Sequence, residues 1–505
     1  MLRIVSVAGI VATALISGSA ASLPQASSIS SDFNSPWANR LTWGMTSNVN
    51  LMNDGPGNAM QLERALKASP GELPPEAKAQ IAAMRISQSG MTELVEEMQT
   101  ENQKISRMID GDEKIAARKF HEKNMNAFAD EARMRSVLRA IYAPDQIREL
   151  MTWFWVNHFN VFSGKRDIRV MLGDYEDTLR SRSLGKFRRL LGATVHHPAM
   201  LRYLDNDQNA VGHINENYAR EIMELHTMGA DAGYSQKDVQ ELARILTGVG
   251  VRVGPGTPKL KPQWRDLYIR AGLFEFNPAR HDFGDKHFLG HVIKGSGFGE
   301  VEQALDILAK SPATAKKVST QLATYFMGDT PPQSVIKKMA QTFQRTEGDI
   351  AEVLLTMART QEFSASLGKS FKNPVQYVIS ALRLAYADRV IRNPQPVVSW
   401  IKQLGASLYD RQTPEGYSMN SDAWSAPGQM ATRFDVAKRI GDGSANLFGP
   451  ATKSDLPAFP NLRNPFYHDM LEATLGQKTK AALAKATSAQ EWNMLLLSSP
   501  EFMYR

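Results

Sequence analysis

The sequence predicts an all-α fold, a large multi-helix protein of two helical lobes with a small loop and β-hairpin insertion. Three observations predict it. Apolar residues recur at helical spacing over most of the chain. Helix-start signals such as Asn373-Pro374 and Ser235-Gln236-Lys237-Asp238 punctuate it. Strand character is confined to one stretch rich in Gly and Pro. A length of 505 residues suffices for a large core and more than one lobe.

The first residues bear on compartment. Met1-Leu2-Arg3 is a short positive start, residues 4–16 are largely apolar, and Ser17-Gly18-Ser19-Ala20-Ala21 offers small residues at a cleavage site. Residues 1–21 therefore read as a signal peptide, and the protein is expected to be exported, periplasmic or secreted. The apolar run is too short to span a bilayer, and no later segment reaches the roughly 18 apolar residues needed. The mature chain is expected to carry no transmembrane anchor. A Ser-rich linker over 22–36 follows.

The N-terminal lobe, 37–249, opens with Trp37-Ala38-Asn39-Arg40-Leu41. Helical patterns cover 60–68, 75–87, 91–109 and 113–142, the last with a stripe at Met134, Leu138 and Ile141. Pro144 at a first helical position starts a helix over 145–162. In it Leu150, Phe154 and His158 recur every fourth residue, as do Met151, Trp155 and Phe159, so it should be buried nearly all round. His158 inside that burial reads first as a hydrogen-bonded core residue. A helix pair over 169–191 leads to His197-Pro198 and Leu204-Asp205-Asn206.

The densest concentration of functional polar groups follows, in Asn215-Glu216-Asn217-Tyr218-Ala219-Arg220-Glu221-Ile222-Met223-Glu224-Leu225-His226-Thr227-Met228-Gly229. Asn215 is a natural N-cap, Glu216 suits the first turn and Gly229 is a stop, giving a helix of about four turns. At about 100° per residue, Asn217, Arg220, Glu221 and Glu224 share one face, beside an apolar stripe of Tyr218, Ile222 and Leu225. Another helix runs from Ser235 to Thr247-Gly248. The insertion, 250–298, has strand character at 273–276 and 287–293. The C-terminal lobe, 299–505, is helical apart from a loop over 405–427 bearing Tyr409, Tyr417 and Trp424.

Several function classes are excluded or disfavoured. The formal charge of +7 is spread among interleaved acids with no polybasic run, which argues against nucleic acid. The absence of cysteine excludes disulfides, thiolate metal sites and a cysteine nucleophile. There is no His-Glu-x-x-His, no Gly-x-Ser-x-Gly elbow and no phosphate-binding loop. Gly248-Val249-Gly250 lacks the following helix that a dinucleotide site needs.

Taken together, Phe154-Trp155-Val156-Asn157-His158-Phe159, His197-Pro198, Leu204-Asp205-Asn206, Asn215 to Thr227, Tyr234 to Gly248, His281-Asp282-Phe283-Gly284-Asp285-Lys286 and Ser499-Pro500-Glu501-Phe502 resemble a large bacterial family, catalogued as domain of unknown function 1800. The resemblance covers nearly all of the mature chain. It implies an exported protein, often encoded beside a secreted partner resembling alkaline phosphatases and sulfatases. It implies no chemistry, since no activity is established for the family. The chain departs from the family pattern at Ile214, Val249 and His287, where proline, tryptophan and threonine are usual.

Two readings of the polar helix stand. In the first, Glu221 and Glu224 face Asp205, Asn206 and the His281-Asp282 corner across a pocket. One carboxyl then has a raised pKa and serves as general acid, or Glu221, Glu224, His281 and Asp282 hold a divalent metal. The protein would be a hydrolase or lyase acting on envelope or extracellular polymer. In the second, Arg220 pairs with Glu224, Glu221 accepts backbone N–H groups, and the polar groups form a sealed network in a non-catalytic binding or assembly protein that works with a secreted partner enzyme. His226 lies away from both glutamates on an ideal helix and is expected to donate to a carbonyl near the helix C-terminus. His158, Asn215, Asn217, Arg220, His226 and Lys286 are the remaining polar residues of the family motifs.

Overall fold

The computed structural model describes residues 35–46, 57–449 and 459–505; the leader and nearly all of the linker read at 1–36 lie outside them. Helices carry the described chain, and two small sheets are the regular β structure in it. The expected all-α class with a β insertion is what forms. No helix among the described residues is long and apolar enough to cross a membrane.

The spine is the helix Asp112–Tyr142, with Asp112 and Glu113 in its first turn and Arg139 in its last, each favourable with the helix dipole. It packs against Met91–Arg107 and Leu172–Arg180 from its own half of the chain, and against Pro374–Tyr386 and Gln395–Gln403 from the other half. Buried apolar residues from Trp37 to Met503 accordingly form one contiguous cluster. The charges on the last turns of this helix are not all solvated as a surface face would be. Arg133 and Arg135 are buried, pairing with Asp410 at 2.5 Å and Asp177 at 3.0 Å.

The helix Gln146–His158 is buried at every position but Arg148, as its pattern predicts. It starts one residue later than expected, because the Asp145 side chain caps it by accepting from the Arg148 N–H at 3.3 Å, leaving Pro144 outside. It also ends at His158 rather than 162, where Asn160 turns its side chain to another segment.

Ser235 and Asp238 form a reciprocal capping box at Gln236–Ile245, and Asn373 with Gln376 does the same at Pro374–Tyr386. The insertion begins on a three-stranded antiparallel sheet in which Phe274–Phe276 lies between Val249–Val251 and Ile269–Ala271. A separate hairpin pairs Lys286–Phe288 with His291–Ile293. His287 and His291 thus sit on successive strands of a tight hairpin and not on one strand; both are exposed.

The polar helix departs from expectation. It is α-helical only over Asn217–Glu221 and continues as a π-helix over Ile222–His226. The Thr227 hydroxyl donates to the Ile222 carbonyl at 2.7 Å, and Gly229 N–H reaches back to Met223 O at 3.0 Å. Gly229 takes the left-handed conformation expected of a stop, with φ of 96°.

Candidate functional site

The residues gathered by the sequence into one pocket are divided between two places. One is the anchor of the insertion. The turn after Gln236–Ile245 is held there from both sides: Asn206 donates to Leu246 O at 3.2 Å and Val249 O at 2.9 Å, while His281 Nδ1 lies 2.8 Å from Thr247 O. Gly248 in this turn has φ of 81°, and a Cβ there would meet Asn277 O at 2.6 Å, so only glycine fits.

His281 Nε2 lies 2.9 Å from Glu300 Oε1, and Lys286 Nζ donates to Glu300 Oε2 and to the Asp282 carbonyl. Glu300 also accepts from Ser296 N–H at 2.7 Å and Gly297 N–H at 2.9 Å, closing the start of helix Phe298–Lys310. Burial pushes the Glu300 carboxyl up, but hydrogen bonds from His281 and Lys286 outweigh it and hold it below the usual carboxylate range. Asp282 receives both arms of Arg244, at 2.8 and 3.1 Å, and the Gly284 N–H at 2.8 Å; the Arg244 hydrogen bond chiefly keeps it ionised.

This corrects the expectation for His281 and Asp282. Both ring nitrogens of His281 face protein oxygens and its side chain is sealed from solvent, so His281 is not open to substrate or metal, and the carboxylate of the partly exposed Asp282 is taken up by Arg244 and the Gly284 N–H. Nor do Glu221, Glu224, His281 and Asp282 form one donor set: among the described residues no three His, Asp or Glu side chains are gathered as around a metal ion. Asn206 is an architectural residue, buried with both its N–H bonds given to the turn.

The second place is the polar helix itself. The helix begins one residue later than expected, with Glu216 at its cap position; the Asn215 side-chain oxygen still accepts the Asn217 N–H at 3.0 Å, and Asn215 and Asn217 donate to the carbonyls of Asp205 and Leu204. Asn209, a residue the motif reading did not single out, accepts the Asn215 N–H at 3.0 Å and is fully buried. Asp205 adopts a left-handed conformation with φ of 58°; Lys165 at 2.7 Å and Arg166 at 3.2 Å bind its carboxylate.

Arg220 lies between Glu216 at 3.2 Å and Glu224 at 3.5 Å, which realises the expected pair one turn on. Glu221 is different. The expected backbone N–H donors do not reach it, and among the described residues it has no hydrogen bond or ion pair. Half-buried beside Glu224 and Glu415, it has its carboxyl pKa raised by desolvation and then by the Glu224 charge. Tyr234 stands by the same carboxylates with its hydroxyl pushed up to about 12, first by desolvation and then by the Glu224 charge.

The Glu415 charge reaches Glu221 from a segment that the sequence did not connect with the helix. Asn157 of the Trp155-Val156-Asn157-His158 motif donates to Tyr417 O at 2.9 Å and accepts the Tyr417 N–H at 2.7 Å. Asn160 donates to the carbonyls of Arg411 and Thr413, and the Tyr203 hydroxyl to Gln412 O at 2.8 Å. These bonds carry Glu415 towards Glu221. Tyr409 and Trp424 are buried and Tyr417 is half-buried, so the 405–427 loop presents no exposed aromatic patch.

His158 and His226 meet in the core behind the helix, ring centroids 6.0 Å apart. His158 Nε2 lies 3.1 Å from the His226 carbonyl, so His158 is the hydrogen-bonded core residue expected. His226 does not donate to a carbonyl as predicted: both of its ring nitrogens are buried without a partner among the described residues, because the π segment turns the ring into the aromatic core.

Sequence reasoning missed Glu300, whose place three residues after Gly297 signals a cap but not burial. It also missed Glu149 and Glu176. These buried acids line a cavity of about 30 Å³ with Ser136 and Tyr409, room for roughly one water. Tyr409 donates to Glu176 at 2.5 Å, and Arg180 lies 2.5 Å from Glu149.

A family model described as a protein of unknown function, DUF1800, matches residues 36–504. No curated protein and no solved structure matches the chain.

Proposed function

Since the chain belongs to the DUF1800 family, whose model spans nearly its whole length, we propose that it is an exported protein, periplasmic or secreted, acting as a hydrolase or lyase on envelope or extracellular polymer with Glu221 as its acid–base group. One observation carries this reading: among the described residues Glu221 is the carboxylate of the polar helix with neither hydrogen bond nor ion pair, and desolvation and the Glu224 charge raise its pKa against the opposing charge of Arg220. A carboxyl protonated closer to neutral pH donates to a leaving oxygen, whereas its neighbour Glu224, paired with Arg220 at 3.5 Å, steadies positive charge or orients water. An extended polymer suits a site on a helix face better than a small molecule, which needs enclosure.

The test is incubation of the mature protein with peptidoglycan and with uronic-acid polysaccharides, following new reducing ends and unsaturated uronate absorbance. Wild type is expected to cleave one of them and Glu221→Gln to have lost the activity while remaining folded. Cleavage retained in Glu221→Gln rules Glu221 out.

A second reading is favoured by how many family-motif residues hold the turn at 246–249. In it the protein is a non-catalytic binding or assembly factor for a secreted phosphatase- or sulfatase-like partner. Co-purification with that partner, undiminished in Glu221→Gln, is its signature.

A further inference from the structure

A cleft of about 380 Å³ lies between the Ser35–Leu41 helix, the Pro374–Tyr386 helix and the 496–504 segment, where the Ser499-Pro500-Glu501-Phe502 motif forms part of its wall. Its walls are largely apolar, with Met45, Leu384, Leu475, Leu496 and Phe502 among them. Pro36, Thr474 and Tyr504 also line it and are exposed, so it is reached from solvent.

Lys372 lines the same cleft and is only 3 % exposed. Its Nζ sits 3.9 Å from the centroid of the Phe502 ring and has no hydrogen bond or ion pair with any described residue. The one carboxylate on the wall, Glu501, is engaged elsewhere, accepting from Gly476 N–H and the Thr479 hydroxyl at 2.8 Å each. The backbone of Lys372 is fixed on both sides. Its N–H donates to Met503 O at 2.8 Å and its carbonyl accepts from Arg433 at 2.7 Å. Burial, and then the charges of Arg505 and Arg433, push the Lys372 ammonium well below the usual lysine range. A lysine desolvated in an apolar pocket beside other cations is the environment that makes an amine a nucleophile.

We propose that Lys372 is a nucleophilic amine at the base of an apolar cleft that captures an apolar aldehyde or ketone as an imine. The Nζ lone pair attacks the carbonyl carbon. A proton passes from nitrogen to the former carbonyl oxygen, giving a carbinolamine. Loss of the second nitrogen proton with the hydroxyl group releases water and forms the C=N bond. No oxidant or reductant is needed, and hydrolysis reverses the step. A carboxylate ligand fits less well, because it would need a charged partner and the neighbouring arginines disfavour a proton on Lys372.

The experiment treats the full chain with octanal and cyanoborohydride and maps reductively alkylated lysines by peptide mass spectrometry. An ordinary lysine, with a pKa near 10.4, has only about four parts in ten thousand as free amine at pH 7, so Lys372 is expected to label at least about tenfold faster than exposed Lys237 or Lys294. Its labelling rate should rise less steeply from pH 7 to 9 than theirs. Lys372→Met is expected to abolish the fast phase of octanal incorporation. If Lys372 labels no faster than Lys237, or only after urea is added, the proposal is wrong; the wild-type pH profile decides even where the variant does not fold.

Discussion

His281 and Glu300 face each other at 2.9 Å with both side chains wholly excluded from solvent. Lys286, equally buried, holds the other oxygen of the same carboxylate. The pair is therefore the clamp that fastens the insertion to the helix Phe298–Lys310.

Removing one member of such a cluster leaves the others buried without compensation. Glu300→Ala is expected to cost about 3–5 kcal/mol, because it strands the Lys286 charge and two backbone N–H groups. Urea denaturation measures the loss, and limited proteolysis should show new cuts within 250–298. An unchanged midpoint and cleavage pattern would contradict the clamp.

Gly416 carries the segment that presents Glu415. Its φ is 74°, and a Cβ would lie 2.2 Å from Asn157 O. Gly416→Ala is expected to destabilise by about 2 kcal/mol or more, since strain and collision add. The same variant should also expose 411–417 to protease. A Gly428→Ala control, where a Cβ meets nothing within 4 Å, should be near neutral.

Acid should weaken the protein through its buried histidines. Burial, chiefly, lowers the His158 pKa to about 4 and drives His226 well below its ordinary value. The unfolded chain therefore binds more protons than the folded one between pH 6.5 and 4. Stability is full above pH 6.5 and falls as the pH drops through that window, by about 3 kcal/mol for His158. Denaturation curves at pH 7 and 4.5 should show a smaller drop for His158→Gln. For His226, whose ring nitrogens have no partner among the described residues, His226→Phe is expected to be tolerated or stabilising at neutral pH, because it removes a buried polar cost.

Glu221 should trade stability against activity. Its raised pKa means that the folded state keeps a proton which the unfolded chain releases above about pH 4.5. That contribution is present at low pH and lost as pH rises through the folded value. At pH 7 Glu221→Gln is thus expected to unfold no earlier than wild type, while polymer cleavage disappears. A variant that is both inactive and unstable would identify Glu221 as a packing residue.

Much of this protein was determined by its sequence because the responsible forces are local. Ser235, Asn373 and Gly229 set helix ends through bonds or dihedrals within a few residues, and the period of Gln146–His158 announced its burial. The tertiary structure alone decided partners. That His281 meets Glu300 and not Glu221, that the π segment buries His226, and that Asn157 brings Glu415 to the polar helix all depend on packing between distant segments. Lys372 shows the same limit most plainly. Its residue type is ordinary, and only the walls that remove water and counter-ions from around it make its chemistry unusual.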